Sequence, residues 1–211
     1  MTAAAVFGFA GWVVFFSSWL ATEVVSVKGA EKLSPDDVIA TAGVDLGTPL
    51  VRINLDVVRD RIADIPVVDS VSVHRSWPHT IEISVTERQP IAAVRRGRGW
   101  WVMDKEGVVF WHTPVRLKAL PVVKALGEGQ PDTLREVGSV LNALPDRLRT
   151  ATQRVEARTM DSITLRLENG REVFWGSAAD SDRKVAVLAV LLDQRAAVYD
   201  VSVPARPTTS G

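Results

Sequence analysis

The sequence of 211 residues contains no cysteine, so disulfide bonds, thiolate metal sites and cysteine nucleophiles are all excluded. It also lacks an excess of either charge, because 25 Lys and Arg residues balance 25 Asp and Glu residues. A balanced chain has no overall basic field, so nucleic acid is not a predicted partner. The one local basic cluster, Arg95, Arg96 and Arg98, is predicted to be a solvated loop. A contact with lipid headgroups is the alternative for this cluster.

Sequence motifs of catalysis and metal binding are also missing. The three histidines, His74, His79 and His112, occur without an HExxH motif or a close acidic partner. No Gly-x-Ser-x-Gly elbow occurs. Residues 97–99 (GRG) lack the strand-to-helix context of a phosphate loop and are predicted to be a hairpin turn. The sequence therefore predicts a protein that is not an enzyme and has no metal, cofactor or small-molecule substrate.

A long apolar run without a charged residue extends from Ala3 to Ala21. As an α-helix it would span about 28 Å, close to the bilayer hydrocarbon core of about 30 Å. A cleaved signal peptide is the alternative, but no Lys or Arg precedes the run and no A-x-A site follows it. A buried core helix is the third interpretation. We predict a single transmembrane helix over residues 3–21.

Residues 23–89 have the pattern of a small α+β module. The segment EVVSVKG is predicted to be a strand. The run from Ser34 to Asp37 (SPDD) is typical of a helix start, with a hydroxyl cap, an early proline and acidic residues near the positive end of the helix dipole. Gly43 is expected to end this helix. A second helix is predicted to begin after Asn54 or Asp56.

Two runs of alternating apolar and polar residues follow. Val71 and Val73 face one way in the first run, and residues 80–86 alternate in the same manner. A proline-containing turn over residues 76–79 separates the runs, so they are predicted to form a hairpin with one buried face. The order β-α-α-β-β places helices on one face of a small sheet, which is an α+β design.

Residues 90–203 are predicted to form a second module, with a mixed sheet and two helices. Hairpins are indicated around residues 104–107 and at Asn169-Gly170, which is the strongest short hairpin signal in the chain. Apolar residues at helical spacing predict one helix over residues 132–144 and another over about 181–194.

The last predicted strand, residues 198–203, has no later segment that is expected to pair with its outer side. Residues 204–211 contain Pro204 and Pro207 and are predicted to be a disordered C-terminal tail. An unpaired strand edge offers free N–H and C=O groups to an added strand from a partner. The alternative is an ordinary terminal edge strand that the prolines protect.

Several segments of the chain resemble one known family. They are the strand EVVSVKG, the segments LSPDDVIATAGV and GTPLVRINLDVVRDRI, and above all SVSVHRSWPHTIEISVTERQPIAAV. Together with the apolar run, they are similar to the bacterial cell-division family FtsQ, also called DivIB, and the first module resembles its POTRA domain. The residues of the hairpin that carry this resemblance are Arg75, Trp77, Pro78, Glu87, Arg88 and Pro90.

The resemblance implies both a fold and a role. The fold is α+β, with the transmembrane helix at 3–21, a POTRA-like domain at 23–89, an FtsQ-type β domain at 90–203 and the tail at 204–211. The role is a scaffold that links early and late divisome proteins at the septum and so regulates septal peptidoglycan synthesis. The implied location is the plasma membrane (the cell inner membrane), as a single-pass type II protein with its N-terminus cytoplasmic and its C-terminal domain extracytoplasmic.

The resemblance also implies partners, because in the FtsQ family a strand from FtsB adds near the C-terminal edge and FtsL binds beside FtsB. Pairing is expected to stop after Val203, since proline lacks an N–H group. A POTRA-bearing protein that handles secreted or envelope proteins is the alternative function. By position, and with the preceding helix beside it, the implied surface for FtsB-like and FtsL-like partners is Tyr199, Asp200, Val201, Ser202, Val203, Pro204, Ala205 and Arg206.

Overall fold

The computed structural model describes residues 20–125 and 131–211. The predicted transmembrane helix, residues 3–21, therefore lies almost wholly outside the described residues. Its last residue, Ala21, is not helical, because it forms an isolated β-bridge with Pro49 in the first module. Among the described residues, no helix has the length and apolar character needed to cross a membrane. The chain divides into two compact units, with the boundary between Arg88 and Gln89.

The first unit has the predicted β-α-α-β-β order, with one additional short 3-10 helix. Its three strands form a sheet in the order β1-β3-β2, with β1 parallel and β2 antiparallel to β3. The α+β prediction for this module is confirmed. Its elements are β1 (Val24–Lys28), α1 (Pro35–Ala42), the 3-10 helix (Leu50–Arg52), α2 (Leu55–Ala63), β2 (Val68–Ser76) and β3 (Thr80–Glu87).

Local capping chemistry explains where the two helices of the first unit lie. Helix α1 begins with a proline in its first turn and ends at Gly43, whose φ of 58° is in the left-handed region that glycine tolerates. The predicted hydroxyl cap is wrong, since the Ser34 side chain makes no capping hydrogen bond. Helix α2 is capped as the sequence predicts: Asn54 Oδ1 accepts hydrogen bonds from the N–H groups of Asp56 at 3.0 Å and Val57 at 3.3 Å.

The core of the first unit lies between the helices and one face of the sheet. The alternation predicted for the hairpin is confirmed, because every second residue of β3 is buried from Ile81 to Val85. Each helix contributes its buried face to the same cluster, with Val38 from α1 and Ile62 from α2. Burial of each such side chain stabilises the fold by about 1.5–3 kcal/mol.

In its described residues, the second unit is a nine-stranded mixed sheet with three helices rather than the predicted two. The strand order is β12-β11-β10-β9-β8-β7-β4-β5-β6. The additional helix, α4, has only six residues and carries no long apolar stripe. The elements are β4 (Ala92–Arg96), β5 (Gly99–Met103), β6 (Val109–Thr113), β7 (Val122–Ala125), α3 (Pro131–Ala143), α4 (Asp146–Ala151), β8 (Thr152–Ala157), β9 (Ile163–Leu167), β10 (Glu172–Gly176), α5 (Ser181–Leu191), β11 (Val198–Asp200) and β12 (Thr208–Ser210).

The predicted hairpins and helices of the second unit are present. Gly170 joins β9 to β10 with a φ of 83°, and Gly97 joins β4 to β5 with a φ of 59°. Both values require a residue that tolerates the left-handed region. The stripe predicted for α3 is buried against the sheet, including Leu134 and Leu141, and it packs in one cluster with the fully buried ring of Trp175.

A buried carboxylate holds the loop between β1 and α1. Glu87, at the end of β3, is almost inaccessible to solvent. Its Oε1 accepts hydrogen bonds from the backbone N–H groups of Glu31 at 2.8 Å, Lys32 at 2.8 Å and Leu33 at 2.9 Å. Burial by itself would raise the pKa of Glu87, but these three donors favour the charged form and hold its pKa below the ordinary value.

We predict that Glu87→Gln lowers the free energy of unfolding of the first unit at neutral pH by about 1–3 kcal/mol, because hydrogen bonds to a charged acceptor become bonds to a neutral one. The pKa of Glu87 is lower in the folded state, so its contribution is present above the unfolded-state pKa and is lost as pH falls through the folded-state pKa. Urea unfolding at a series of pH values should show the difference from the unmodified chain shrinking in acid.

The matched control is Glu31→Gln, because the Glu31 side chain is exposed and only its backbone N–H reaches Glu87. This control should leave stability nearly unchanged at all pH values. A Glu87→Gln loss that stays constant into acid would contradict the role given to the carboxylate charge.

Candidate partner-binding edge

The end of the chain forms two further strands at one side of the large sheet. Strand β11 runs parallel to β10, and β12 returns antiparallel to β11. Ser210 O also accepts a hydrogen bond from Ala197 N at 3.1 Å. The predicted strand over residues 198–203 is shorter, since β11 ends at Asp200, and its outer side is paired with β12 rather than free. The predicted disordered tail at 204–211 is also wrong, because it contains β12. The prolines stop pairing only locally, since Pro204 and Pro207 lie in the connection between β11 and β12.

Two residues of the predicted partner surface belong to the core. Tyr199 and Val201 are fully buried. The Tyr199 hydroxyl donates a hydrogen bond to Gln194 O at 2.8 Å, and the Arg171 guanidinium lies 5.7 Å from the centre of the Tyr199 ring. Val201 N donates to Phe174 O at 3.0 Å, which continues the contact between β10 and the segment after β11. These side chains support the edge and are not available to a partner.

Two further predicted residues shape the turn after β11. Asp200 Oδ1 accepts hydrogen bonds from Ser202 N at 2.9 Å and from Ser202 Oγ at 2.6 Å. Gly176 approaches this turn closely, because a Cβ on it would lie 3.1 Å from Ser202 Cβ, and its φ is 76°. Asp200 and Ser202 thus satisfy each other locally.

The remaining four predicted residues form the connection to β12. Val203, with 56% of its surface exposed, accepts a hydrogen bond at its carbonyl from Arg206 N at 2.9 Å. Pro204 is half-buried, whereas Ala205 and Arg206 are exposed. Asp200 and Ser202 are half-buried, so the exposed side chains of the predicted surface are all in this connection.

Strand β12 is the outermost strand that the structure describes on this side of the sheet. All three of its residues are exposed. Thr209 lies opposite Tyr199, between the flanking pairs Val198–Ser210 and Asp200–Thr208. Bonded and non-bonded pairs alternate in an antiparallel ladder, and Ser210 O faces the β11 side, so the Thr209 N–H and C=O groups point outward.

Sequence reasoning missed this strand because Thr-Thr-Ser is short and has no apolar alternation. The β-propensity of threonine is the only local signal.

Apolar side chains lie near the free edge. Phe174 on β10 is 43% exposed and occupies the same cross-strand row as Asp200 and Thr208. Helix α5 exposes 68% of Val190. A partner strand on β12 would therefore find apolar contacts within a few strand widths, each about 4.8 Å.

Helix α5 is fixed beside this edge by a buried lysine. Lys184 Nζ donates a hydrogen bond to Ser177 O at 2.8 Å. Burial lowers the pKa of Lys184, and the negative charges of Asp180 and Glu136 act in the opposite direction. Trp175 Nε1 also donates to Ser181 Oγ at 3.3 Å, so the first turn of α5 is held to β10.

Five of the six family-motif residues lie in the first unit, in different environments, and Pro90 lies just past the boundary in the second unit. Arg75 clamps the 3-10 helix, donating through Nε to Leu50 O at 2.8 Å and through Nη2 to Ile53 O at 2.7 Å. Arg88 pairs with Asp69 at 3.4 Å. Glu87 is the buried acceptor described above, and Pro90 is half-buried just before β4.

Trp77 and Pro78 are instead exposed, at the turn between β2 and β3. None of the six motif residues belongs to the C-terminal edge, and all but Pro90 lie in the other unit. The hairpin motif thus combines structural residues with an exposed tip.

The basic cluster predicted from the sequence lines a groove on the second unit. Arg95 and Arg96 border a cavity of about 1000 Å³. The guanidinium of Arg95 lies 5.8 Å and that of Arg116 lies 5.9 Å from the centre of the Trp100 ring. Lys124 and Arg154 complete the cationic lining, and no acidic residue lines it. Arg98 does not take part.

Comparison with known proteins assigns both units. A model of the FtsQ-type POTRA domain matches residues 20–88, and a model of the C-terminal domain of cell-division protein FtsQ/DivIB matches residues 92–203. The major extracytoplasmic domain of the division protein DivIB from Geobacillus stearothermophilus, a solved structure, covers 51% of this chain and 96% of its own length at 20% identity, with a TM-score of 0.40.

Curated relatives named cell division protein FtsQ extend the match to almost the whole chain. The relative from Streptomyces coelicolor is 37% identical over 95% of this chain and 81% of its own length. The relative from Mycolicibacterium smegmatis is 35% identical over 94% of this chain and 60% of its own length. The relative from Corynebacterium glutamicum is 30% identical over 94% and 90%. The resemblance seen in the hairpin is therefore confirmed, and the chain belongs to the FtsQ/DivIB family of cell-division proteins.

Proposed function

We propose that this chain is a non-enzymatic scaffold of the division apparatus, located at the septum. Its apolar segment, residues 3–21, would anchor it in the plasma membrane, with the N-terminus in the cytoplasm and both folded units outside. The uncharged run in the sequence supports this anchor, and the family assignment supports the divisome role. The residues that we assign to partner binding lie on strands and turns, as expected of a binding protein.

The proposed mechanism is addition of a strand from an FtsB-like partner to the outer side of β12, with an FtsL-like protein bound beside that partner. Holding these proteins at the septum would regulate septal peptidoglycan synthesis. The observation that carries this proposal is the exposed outer side of β12, where Thr209 directs its main-chain groups away from β11. The binding edge is therefore moved from residues 199–206 to β12, because β12 pairs with the outer side of β11 at residues 198–200.

Main-chain pairing alone is too weak for a stable complex. One outward-facing residue forms two hydrogen bonds, which contribute about 1–3 kcal/mol together. A micromolar complex requires about 8 kcal/mol. The rest must come from side chains, and the exposed apolar side chains of this part of the unit include Phe174 on β10, Val203 in the connection to β12 and Val190 on α5. Anchoring both proteins in one membrane would raise their effective concentration further.

A POTRA-bearing protein that handles secreted or envelope proteins is the second candidate. The first unit alone is compatible with it, because the POTRA domain is what such proteins share with this chain. The match of residues 92–203 to the FtsQ/DivIB C-terminal model favours the division role.

We predict that Thr209→Pro weakens binding of an FtsB-like coiled-coil protein at least about tenfold, the factor that corresponds to 1.4 kcal/mol. Proline removes the outward N–H of Thr209 but leaves the pairing of its neighbours with β11. Affinity can be measured with the full chain in detergent micelles. Thr209→Ala keeps the N–H and is the matched control. Unchanged affinity in Thr209→Pro would refute addition of a strand at this edge.

We predict the opposite pattern for Tyr199→Phe. Loss of the hydroxyl leaves Gln194 O without this donor and should lower the free energy of unfolding by about 1–3 kcal/mol. Affinity for the FtsB-like protein should stay unchanged below the unfolding transition, because Tyr199 is buried. Denaturant unfolding and the same binding assay check this. If a fully folded Tyr199→Phe variant binds more weakly, Tyr199 takes part in partner binding and this assignment is wrong.

Depletion of the protein from its host should produce filaments or unsplit cells, because a divisome scaffold is needed to assemble the septum. Light microscopy during depletion measures this outcome. Normal division together with a defect in envelope proteins would instead favour the second candidate function.

A further inference from the structure

The residues that directly follow the apolar run are held between two loops of the first unit. Thr22 N donates to Thr48 O at 2.8 Å, and Gly47 N donates to Thr22 O at 2.8 Å. On the other side, Glu23 N donates to His79 O at 2.8 Å. The loop over residues 45–49 and the hairpin turn over 77–79 therefore flank the point where the chain enters this unit.

Each of these two loops exposes a large apolar side chain. Leu46 is 63% exposed and Trp77 is 54% exposed, and Val24, at the start of β1, is 50% exposed. Leaving a large apolar side chain in water forfeits up to about 1.5–3 kcal/mol relative to full burial. Isolated exposed apolar residues are ordinary, but here three occur around one point of the chain.

There is no spacer between this point and the apolar run, because Ala21 already pairs with Pro49. The apolar run ends at Ala21, the residue before Thr22, and a chain reaches at most about 3.6 Å per residue, so the end of the run lies within about 4 Å of Thr22. The headgroup layer on each side of a bilayer is about 5–8 Å thick. Both loops are therefore within reach of the headgroups if the apolar run spans the membrane.

We propose that Leu46 and Trp77 insert into the headgroup layer and seat the first unit directly on the bilayer. This inference rests on the membrane anchor given under the proposed function. Tryptophan is the side chain that favours the membrane interface most, since its ring is apolar and its N–H is polar. The occupant of this surface is the bilayer itself, because the apolar run proposed to span the bilayer ends at the same point.

The charges nearest to this surface fix the kind of contact. Glu23, in the segment that enters between the two loops, and Asp45, in the loop over residues 45–49, are both exposed. Negative side chains gain nothing from anionic lipids, so the contact depends on apolar insertion rather than on surface charge. It should persist on phosphatidylcholine alone and should be insensitive to salt.

The opposite end of the first unit supplies a reference position. Strand β3 runs from Thr80, beside Val24, to Glu87, which holds the loop at Glu31. Seven residues of strand span about 23 Å. Glu31 is exposed and should therefore remain in water when Leu46 and Trp77 contact lipid.

The absence of cysteine makes a depth measurement direct, because one introduced cysteine takes one nitroxide label. We suggest Leu46→Cys, Trp77→Cys and Glu31→Cys in the full chain, reconstituted in phosphatidylcholine vesicles. Collisions of each label with oxygen, which partitions into lipid, are compared with collisions with a water-soluble nickel chelate. The oxygen-to-nickel ratio should be several-fold higher at positions 46 and 77 than at 31, at low and high salt alike.

The outcomes separate this inference from the proposed anchor. Co-flotation with vesicles together with equal ratios at all three positions would overturn the seating of the first unit and leave the anchor intact. Failure to co-float would overturn both. The Leu46→Cys variant retains Trp77, so agreement between positions 46 and 77 excludes an effect of removing the tryptophan. Thermal unfolding of each variant checks that the label has not disrupted the fold.

Discussion

The continuous backbone ladder of the nine-stranded sheet is the constraint on which the candidate site depends. Strands from residue 92 to residue 210 pair in one series, and among the described strands of this sheet only β12 and β6 have a neighbour on one side alone. Internal strands have their N–H and C=O groups satisfied on both sides, as buried backbone groups must be. An added strand therefore has two places to bind on this sheet, and β12 is the one at the C-terminal edge, where the resemblance to the family implied a partner surface.

In each unit, a buried charged side chain forms hydrogen bonds with backbone groups of a loop, and the two charges have opposite signs. Such backbone groups have no partners in a sheet or a helix. In the first unit, the Glu87 carboxylate accepts three N–H groups of the loop before α1. In the second, the Lys184 ammonium donates to Ser177 O before α5. The negative carboxylate accepts from N–H groups and the positive ammonium donates to a C=O group. Each loop is thereby held in one conformation although it has no regular secondary structure.

Local signals in the sequence predicted local structure well. Asn54 capped its helix and Asn169-Gly170 made its hairpin, because both effects involve atoms only a few residues apart. The candidate site was only partly predictable. Which strand lies at the edge depends on pairing between distant segments, and β12 (Thr208–Ser210) has no apolar period that would reveal a strand. Glu87 was recognised by resemblance, but its three backbone partners lie more than fifty residues away.

The parallel pairing of β1 with β3 sets the order in which the first unit can form. Val24 pairs with Thr80, and Glu31 bonds to Glu87 across 56 residues. The first strand to be synthesised therefore has no partner until the last strand of the unit has emerged. Contacts between residues so far apart in the sequence require closure of a long loop. This closure costs conformational entropy before the contacts stabilise the fold, so such contacts slow folding. We therefore expect the local hairpin of β2 and β3 to form first and β1 to pair with β3 last.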